Sequence, residues 1–438
     1  MIKKNFIYLF LWLLLSPTAH AVLTIEITQG SEGAQPIAIV PFEWRGKGTA
    51  PISVASIIAA DLQRSGQFIP LAEKDLISHP HDGSTVNYKT WRALNTGYLV
   101  VGKMQELTDG SFDVQFQLLD IYKGRQLAGY SIHSLNSGLR RTAHHISDIV
   151  YKTITGEEGA FNTHIAYITM TRDKNKKKLY QIAIADADGY NEKIVYSSSA
   201  PLMSPSWSPD GTRLAYVSFL NGRPEIFIQN IFSAQKTSVP SFAGLNNAPR
   251  WSPDGKYLAL TLSKDGNPEI YIMNVNSLKL TRITHNLAID TEAEWLPDSR
   301  GLVFTSDRGG SPQLYEIKLN NYQAVARPLR LTFDGNYNAR ATVSPDGRYV
   351  AMVHRNQGGH FRIAVLERET GHLQILTDGQ LDESPSFAPN GRMIIYATEE
   401  RYRGVLSAVS VDGRARQKLS LKKGDVREPA WSPYRIEN

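Results

Sequence analysis

A five-residue motif returns at nearly constant intervals through the second half of this 438-residue chain. The motif is Trp-Ser-Pro-Asp-Gly, complete in two copies and altered or truncated in four others. The copies begin at Trp207, Trp251, Trp295, Val343, Phe387 and Trp431. Their successive spacings are 44, 44, 48, 44 and 44 residues. A fixed period of this length indicates a repeat architecture, and this constrains the fold more than any local pattern does.

Each copy of the motif is expected to form a turn between two β-strands. Pro in the second position of Ser-Pro-Asp-Gly suits a type I turn, and Gly suits its last position. An apolar strand follows each turn, as at 214–217 and 257–261, and a polar loop then leads to an alternating strand such as 269–273. With a fourth, more polar strand, each repeat has the content of one blade of a β-propeller.

The two ends of the repeat region predict how the ring closes. The strand pattern at 165–169 has no motif before it, while the motif at 428–433 has no strand after it. The C-terminal strand is therefore expected to complete the blade that starts at Ile165. This gives a six-bladed propeller, and it removes an edge that would otherwise be open.

The first 21 residues predict a secretory signal peptide. Lys3 and Lys4 precede an apolar run at 6–15, and Ala19-His20-Ala21 is a small-x-small site, so cleavage is expected after Ala21. A membrane anchor is the alternative, but the run is shorter than the roughly 20 apolar residues of a spanning helix. The chain contains no Cys, so no lipid-attachment site and no disulfide framework are expected.

Residues 22–35 predict an isolated strand followed by a linker. The strand residues are Val22, Leu23, Thr24, Ile25, Glu26, Ile27 and Thr28. Their alternation places three apolar side chains on one face. Two interpretations remain open: the segment is the first strand of the next domain, or it is a detachable strand that pairs with another protein.

Residues 36–158 predict a small mixed α/β domain, and 159–438 the propeller. Helical patterns at 51–64 and 139–154 alternate with strand patterns at 37–42 and 98–102, which favours a sheet with helices packed on it. The formal net charge of +6 is spread along the chain, so no nucleic-acid partner is expected. No apolar run predicts an integral membrane protein, and we expect a monomer.

Motifs of common enzyme classes are absent from the sequence. It has no Gly-x-Ser-x-Gly, no His-Glu-x-x-His and no Gly-x4-Gly-Lys. His79 and His81 lie in a predicted exposed turn, and His144 and His145 are helix neighbours that point to different faces. We therefore expect no catalytic residue, no metal and no cofactor. A peptidase propeller would need a hydrolase domain of roughly 200 residues in addition, and a hydrolase with metal in its channel is the other alternative.

Charged and amide side chains collect at one predicted end of the propeller. The Pro-Asp-Gly turns lie at one end, and the loops before each first strand lie at the other. This second end carries Asp290, Glu292, Asp334, Asp382, Glu383, Asp425 and Glu428, with Asn246, Asn247, Arg308, Arg340 and Arg427. These residues form either an ordinary polar rim or a recognition mouth around the central channel.

Several stretches resemble the TolB family, periplasmic proteins of the Tol-Pal system of Gram-negative bacteria. The similar stretches are 25–30, 36–42, 201–211, 382–386 and 429–433. Together they span the chain that follows the signal peptide, and their combination is far more specific than the Pro-Asp-Gly repeat. The resemblance implies a non-enzymatic periplasmic adaptor that maintains the outer membrane, supports its constriction during division and is exploited by toxins for import.

The resemblance also implies two protein partners. Pal, a peptidoglycan-associated lipoprotein, is expected at the propeller mouth, and TolA at the strand of residues 22–28. The implied Pal-facing residues are Asn246, Asn247, Ala248, Thr291, Glu292, Asp382 and Glu383. The family often has a His where this chain has Leu245. Other periplasmic or outer-membrane proteins are further candidate partners.

Overall fold

The computed structural model of the protein describes residues 23–29, as backbone, and residues 33–172, 174–421 and 424–435. The predicted signal peptide at 1–21, and Val22 of the predicted N-terminal strand, lie outside the described residues. Across the described ranges, no helix combines the length and the apolar character needed to cross a membrane.

The N-terminal domain is a mixed sheet with helices on it. In the described residues its α-helices are Val54–Arg64, Tyr88–Arg92 and Leu139–Thr155, and short 3-10 turns occur at Glu73–Asp75, Gly83–Thr85 and Asn136–Gly138. Its strands are Gln35–Ile39, Glu43–Arg45, Phe68–Pro70, Tyr98–Glu106, Phe112–Asp120 and Arg125–Ser134. The strand Gln35–Ile39 pairs in parallel with Phe68–Pro70 and Tyr98–Glu106, and the last three long strands form an antiparallel meander.

Local sequence explains where the two long helices begin and end. The Ser53 side chain accepts a hydrogen bond from the backbone N–H of Ser56, which caps the first helix. The last helix ends at Gly156, whose φ of 79° is readily adopted by glycine. Apolar residues of both helices, including Ile58 and Ile146, are fully buried against the sheet. These apolar positions therefore form the packed faces of the two helices.

The second part of the described chain is a six-bladed propeller of four-stranded antiparallel blades, in two of which an extra strand is added. Blade 1 comprises Asp425–Trp431, His164–Arg172, Lys178–Asp186 and Lys193–Ser198; blade 2, Leu202–Trp207, Arg213–Ser218, Glu225–Asn230 and Lys236–Ser238; blade 3, Asn246–Trp251, Tyr257–Leu262, Glu269–Asn274 and Leu280–Arg282; blade 4, Asp290–Trp295, Gly301–Ser306, Gln313–Asn320, Gln323–Ala324 and Leu329–Arg330; blade 5, Tyr337–Val343, Tyr349–Arg355, Arg362–Glu367 and Leu373–Ile375; blade 6, Glu383–Phe387, Met393–Glu400, Arg403–Ser410 and Arg416–Leu421.

The predicted ring closure is confirmed. The C-terminal strand pairs antiparallel with the strand His164–Arg172, with Trp431 opposite Ile165. The Trp431 indole N–H donates to Thr163 Oγ1 at 2.9 Å, and the Ser432 N–H donates to the His164 carbonyl at 2.9 Å. Blade 1 is thus built from both ends of the propeller sequence, which leaves the ring without an open inner edge.

The repeated motif joins each blade to its neighbour. In blade 3, Ser252 Oγ donates to Asp254 Oδ1 at 2.6 Å and accepts from the Tyr257 N–H, which braces the turn. The indole of Trp295 is 3 % exposed and donates to the Arg250 carbonyl in the preceding blade at 3.0 Å. The aromatic position of the motif is therefore part of the core between blades.

The N-terminal strand adds to the outer edge of the propeller. Leu23–Gln29 pairs antiparallel with Arg416–Leu421, so it is a fifth strand of blade 6, with Ile25 opposite Leu419. An irregularity in register falls between Ile27 and Gln29. The interpretation of this segment as the first strand of the following domain is not what the structure shows, since that domain's sheet begins at Gln35.

The two domains meet at the end of the propeller that carries the Pro-Asp-Gly turns. Asn390 Nδ2 donates to the Glu158 carbonyl at 3.0 Å, and the Gln417 amide donates to the carbonyl of Arg64. We call this the turn end of the propeller. The opposite end, where the loops enter each first strand, is the mouth end, and the contacts between domains described here leave it free.

Candidate protein-binding mouth

One backbone feature recurs near the mouth end of every blade. The innermost strand carries a residue with a φ between 49° and 56°, and a break in register accompanies it in the blades. These six residues, which we call the channel ring, are Ser204, Ala248, Glu292, Arg340, Ser384 and Glu428. A left-handed conformation costs a non-glycine residue roughly 1–2 kcal/mol. Such bulges are common beside functional sites because they re-aim a side chain.

Charged members of the channel ring bind one another. Arg340 Nε donates to Glu292 Oε1 at 2.9 Å, its Nη2 donates to Glu428 Oε1 at 3.2 Å, and its Nη1 donates to the Ser384 hydroxyl. Although burial disfavours the charge on Arg340, the carboxylates of Glu428 and Glu292 raise its pKa. The space enclosed at the ring is about 30 Å³, which holds about one water molecule. The channel is thus closed by side chains at this level.

A second ion pair lies one step further inside the channel. Arg250 Nε is 3.2 Å from Glu294 Oε2. Burial raises the pKa of Glu294, although the Arg250 guanidinium favours its charge. Towards the turn end the channel widens to a cavity of about 440 Å³ lined by the tryptophans and prolines of the motif. The mouth end of the channel is therefore polar and closed, and its turn end is wider and more apolar.

Two of the predicted Pal-facing residues lie inside their blades. Asn246 is 2 % exposed and exchanges hydrogen bonds of 2.9 and 2.8 Å with the Phe242 backbone. Asp382 is 1 % exposed and accepts from the hydroxyls of Thr377 and Thr398, each at 2.5 Å. These side chains brace the loop at the start of the innermost strand. Sequence reasoning placed them at the correct end of the propeller without showing that they point inward.

The other predicted residues lie closer to the open surface. Asn247, Thr291 and Glu383 are half-buried, and Glu383 lies 3.6 Å from Arg427. Asn247 Oδ1 has no hydrogen-bond partner among the described residues. Ala248 and Glu292 belong to the channel ring, and the Glu292 side chain is 24 % exposed and paired with Arg340. The seven residues predicted from the sequence to face Pal therefore lie at the mouth end, and several of them belong to the inner wall of the channel.

Four channel-ring residues were not among the predicted Pal-facing residues. Arg340 is central among them because it reaches Glu292 in one neighbouring blade, Ser384 in the other, and Glu428 two blades away. A usable signal was present, since each ring residue stands three positions before a copy of the motif. The residue types at this position vary from Ala to Arg, so a search for a repeated residue type does not find it.

A cluster of His and Asp residues lies between the domains and resembles a metal site. His144 Nδ1 is 2.7 Å from Asp61 Oδ2, and its Nε2 is 3.4 Å from Asp188 Oδ2. Arg64 binds Asp61 at 3.0 Å, and Arg140 binds Asp188. Two guanidinium groups therefore balance the two carboxylates, so the cluster is better suited to joining the domains than to holding a cation.

Comparison with known proteins extends over both domains. The sequence matches the TolB amino-terminal domain at residues 23–127 and the TolB beta propeller domain at residues 151–435. The chain belongs to the TolB family. It is 57 % identical over 425 residues to the Tol-Pal system protein TolB of Nitrosococcus oceani, covering 97 % of this chain and 96 % of that protein. Identity to the protein of the same name from Thioalkalivibrio sulfidiphilus is 56 % over 428 residues, with 97 % of each chain covered.

A solved structure of the TolB family has the same two-domain architecture. The crystal structure of TolB from Acinetobacter baumannii superimposes with a TM-score of 0.86 at 41 % sequence identity, covering 94 % of this chain and 100 % of that chain. The TolB fold of a small α/β domain followed by a six-bladed propeller is therefore established for this chain.

Proposed function

We propose that this protein is an exported, non-enzymatic adaptor of the Tol-Pal system in the periplasm. On this proposal it binds the lipoprotein Pal at the propeller mouth and TolA through residues 22–28. It thereby maintains the outer membrane, supports its constriction during cell division, and is open to exploitation by imported toxins. Membership of the TolB family supports the assignment of this chain to the Tol-Pal system. The apolar run at 6–15 before Ala21 supports its export.

The Pal-binding part of the proposal is supported chiefly by the geometry of the mouth. Six left-handed backbone positions hold the channel ring, and the rigid strands of the blades hold the loops around it. Asn247, Thr291 and Glu383 contribute half-buried polar side chains beside the ring. A preorganised concave surface loses little conformational entropy when a partner binds.

The TolA-binding part of the proposal is supported by the position of the N-terminal strand. Leu23–Gln29 is joined to the described propeller along one edge only, where it pairs with Arg416–Leu421. An outermost strand can leave without breaking the pairing between the inner strands of its blade. Edge strands also pair readily with strands of other proteins.

Calorimetric titration of the mature chain with purified Pal tests whether the mouth binds Pal. Asn247→Lys places a charged side chain beside the channel ring and should weaken Pal binding at least tenfold, about 1.4 kcal/mol. Asn276→Lys is the matched control, since Asn276 is exposed in a loop at the turn end of blade 3. Equal affinity of Asn247→Lys and the parent, with an unchanged circular dichroism spectrum, would remove Asn247 from the Pal site.

Deletion of residues 22–29 tests the TolA site. The shortened chain should lose TolA binding and retain Pal binding, because the deleted strand lies on the outer edge of blade 6 and not at the mouth. Both affinities are measured by titration on the same preparation. Full TolA binding by the shortened chain would refute the assignment of the strand.

A further inference from the structure

The hairpin formed by the second and third strands of blade 1 projects beyond the mouth end. Its two strands, His164–Arg172 and Lys178–Asp186, have nine residues each, whereas the second strands of blades 2, 3 and 4 have six. The added length lies at the mouth end, because the first strand of blade 1 begins at Asp425, opposite Met170, and the hairpin continues past this point. At about 3.4 Å per residue, it reaches roughly 10 Å further than its counterparts. We call it the blade 1 hairpin.

Positive charge is concentrated at the tip of the blade 1 hairpin. Residues 172–178 contain one Arg, four Lys and one Asp, so five cations less one carboxylate give a formal charge of +4. The corresponding loops of the other five blades are 219–224, 263–268, 307–312, 356–361 and 399–404, and each has a formal charge of +1 or 0. The charge is therefore a property of this blade and not of the repeat.

These positive charges face the solvent. Arg172, Lys174, Lys176 and Lys178 are all exposed. Within the described part of the chain, the three lysines have no carboxylate at ion-pair distance. Arg172 lies directly opposite Lys178 across the strand pair, and like charges in opposed positions destabilise a sheet. The hairpin thus has an arrangement of charge that does not serve its own stability.

Exposed carboxylates elsewhere on the rim of the mouth indicate which kind of partner fits. Asp334 precedes the first strand of blade 5, and Glu400 lies at the tip of the corresponding hairpin of blade 6. A membrane of anionic lipids is negative throughout, so blade 1 would attract it while these carboxylates repel it. A folded protein can present an acidic patch to blade 1 alone. The mixed charge of the rim therefore favours a protein.

We propose, as an extension that rests on the proposed function, that the blade 1 hairpin steers Pal to the mouth by attracting an acidic patch on its surface. Exposed charges are screened over about 10 Å at 0.1 M salt, so the hairpin acts mainly during the encounter of the two proteins. Complementary long-range charge raises association rate constants by about 10–1000-fold. Charges at the rim of an interface change association more than dissociation.

Stopped-flow association of the mature chain with purified Pal tests the proposal. The hairpin variant combines Lys174→Glu, Lys176→Glu and Lys178→Glu. Its association rate constant should fall about tenfold or more at about 10 mM salt, where the screening length is about 30 Å. At about 1 M salt, where that length is about 3 Å, it should come within about twofold of the parent's. The dissociation rate constant should change by less than about threefold. Equal association rates at low salt would overturn the proposal.

A matched control reverses the same number of charges at the turn end. The turn-end variant combines Lys256→Glu, Lys279→Glu and Lys318→Glu, at three exposed lysines. Because these lie away from the mouth, association should slow by less than about threefold. Equal slowing in both variants would attribute the effect to net charge and overturn the proposal. The hairpin variant should keep the parent's melting temperature, since Lys178→Glu places a carboxylate opposite Arg172.

Two other outcomes have separate meanings. Absence of Pal binding by the parent chain would refute the proposed function and this inference with it, whereas binding by the parent with equally fast association of the hairpin variant refutes the inference alone. Sedimentation with vesicles of phosphatidylglycerol and phosphatidylethanolamine tests the membrane as a partner. If the parent sediments with them, the hairpin variant does not, and both associate equally fast with Pal, the hairpin binds lipid and the proposal is wrong.

Discussion

The turn end and the mouth end of the propeller are built from the same six blades. They differ in which feature is repeated from blade to blade. At the turn end the blades keep side chains: four of six carry Trp at the aromatic position, and Ser, Pro and Asp recur beside it. At the mouth end they keep a backbone conformation, with a φ near 50° in each blade, while the side chain changes from Ala to Ser, Glu or Arg.

This difference separates the contacts between neighbouring blades from the contacts around the central channel. A tryptophan such as Trp295 fills the space between neighbouring blades, so the repeats keep large apolar residues at this position. The channel ring faces the axis, where six side chains meet, and one arrangement of charges around Arg340 uses different residue types from different blades. Repetition is therefore expected where blades contact each other, and divergence where their side chains meet at the axis.

Removal of a strand distinguishes the inner from the outer parts of the ring most strongly. Deletion of Glu428–Asn438 takes most of the innermost strand from blade 1 and the Trp431 side chain from its slot, where loss of one large aromatic alone costs about 3–5 kcal/mol. We expect aggregation or a much lower melting temperature. Deletion of 22–29, the outermost strand of blade 6, should leave most of the stability. A melting temperature within a few degrees of the intact chain after the C-terminal deletion would disprove the closure.

Substitution of one motif aromatic tests the packing role of the turn end. Trp295→Ala should lower the free energy of unfolding by about 3–5 kcal/mol, because the indole is buried between blades and its N–H is bonded to the Arg250 carbonyl. Leu287→Ala, at a mouth-end side chain that is 98 % exposed, should change it by less than about 0.5 kcal/mol. Chemical denaturation of both variants gives the comparison, and equal losses would show that the two ends do not differ in this way.

Removal of the Arg340 guanidinium tests whether the ion pairs of the channel ring also stabilise the fold. Arg340→Met leaves the carboxylates of Glu292 and Glu428 without their shared partner, which should cost about 1–3 kcal/mol, less than for a fully buried pair because the Arg340 side chain is 25 % exposed. Arg427→Met removes an arginine that is 48 % exposed and should cost about 0–1 kcal/mol. If Glu428→Gln in the Arg340→Met background restores no stability, unpaired charge is not the cause.

The buried carboxyl of Asp148 at the domain contact should make the free energy of unfolding depend on pH. Burial raises the pKa of Asp148 to about 7, although the N–H groups of Phe161 and Asn162 oppose the shift. The folded chain then holds a proton that the unfolded chain releases between about pH 4 and pH 7, so this contribution to stability is lost as the pH rises through that window. Asp148→Asn should flatten the decline and leave the variant about 1–2 kcal/mol more stable than the parent at pH 8. Denaturation curves at pH 4.5, 6 and 8 measure this, and an unchanged slope in the variant would contradict it.

The sequence by itself determined the six blades and the closing strand. These features depend on residues that are close in sequence or repeated at a fixed period, so the patterns of turn residues and apolar residues identify them. The two helices of the N-terminal domain were predictable for the same reason. Asn247, Thr291 and Glu383 were correctly placed near the mouth, because each precedes a first strand by a few residues or stands at its start.

Only the tertiary structure decided which side chains meet at the channel and at the domain contact. Arg340 joins residues 48 and 88 positions away, and His144 meets Asp61 from 83 positions away. Only the three-dimensional structure put Leu23–Gln29 on the edge of blade 6, and it turned Asn246 and Asp382 inward. Such contacts depend on how whole blades and domains are arranged, and the residue types near each position carry no local signal of their distant partner.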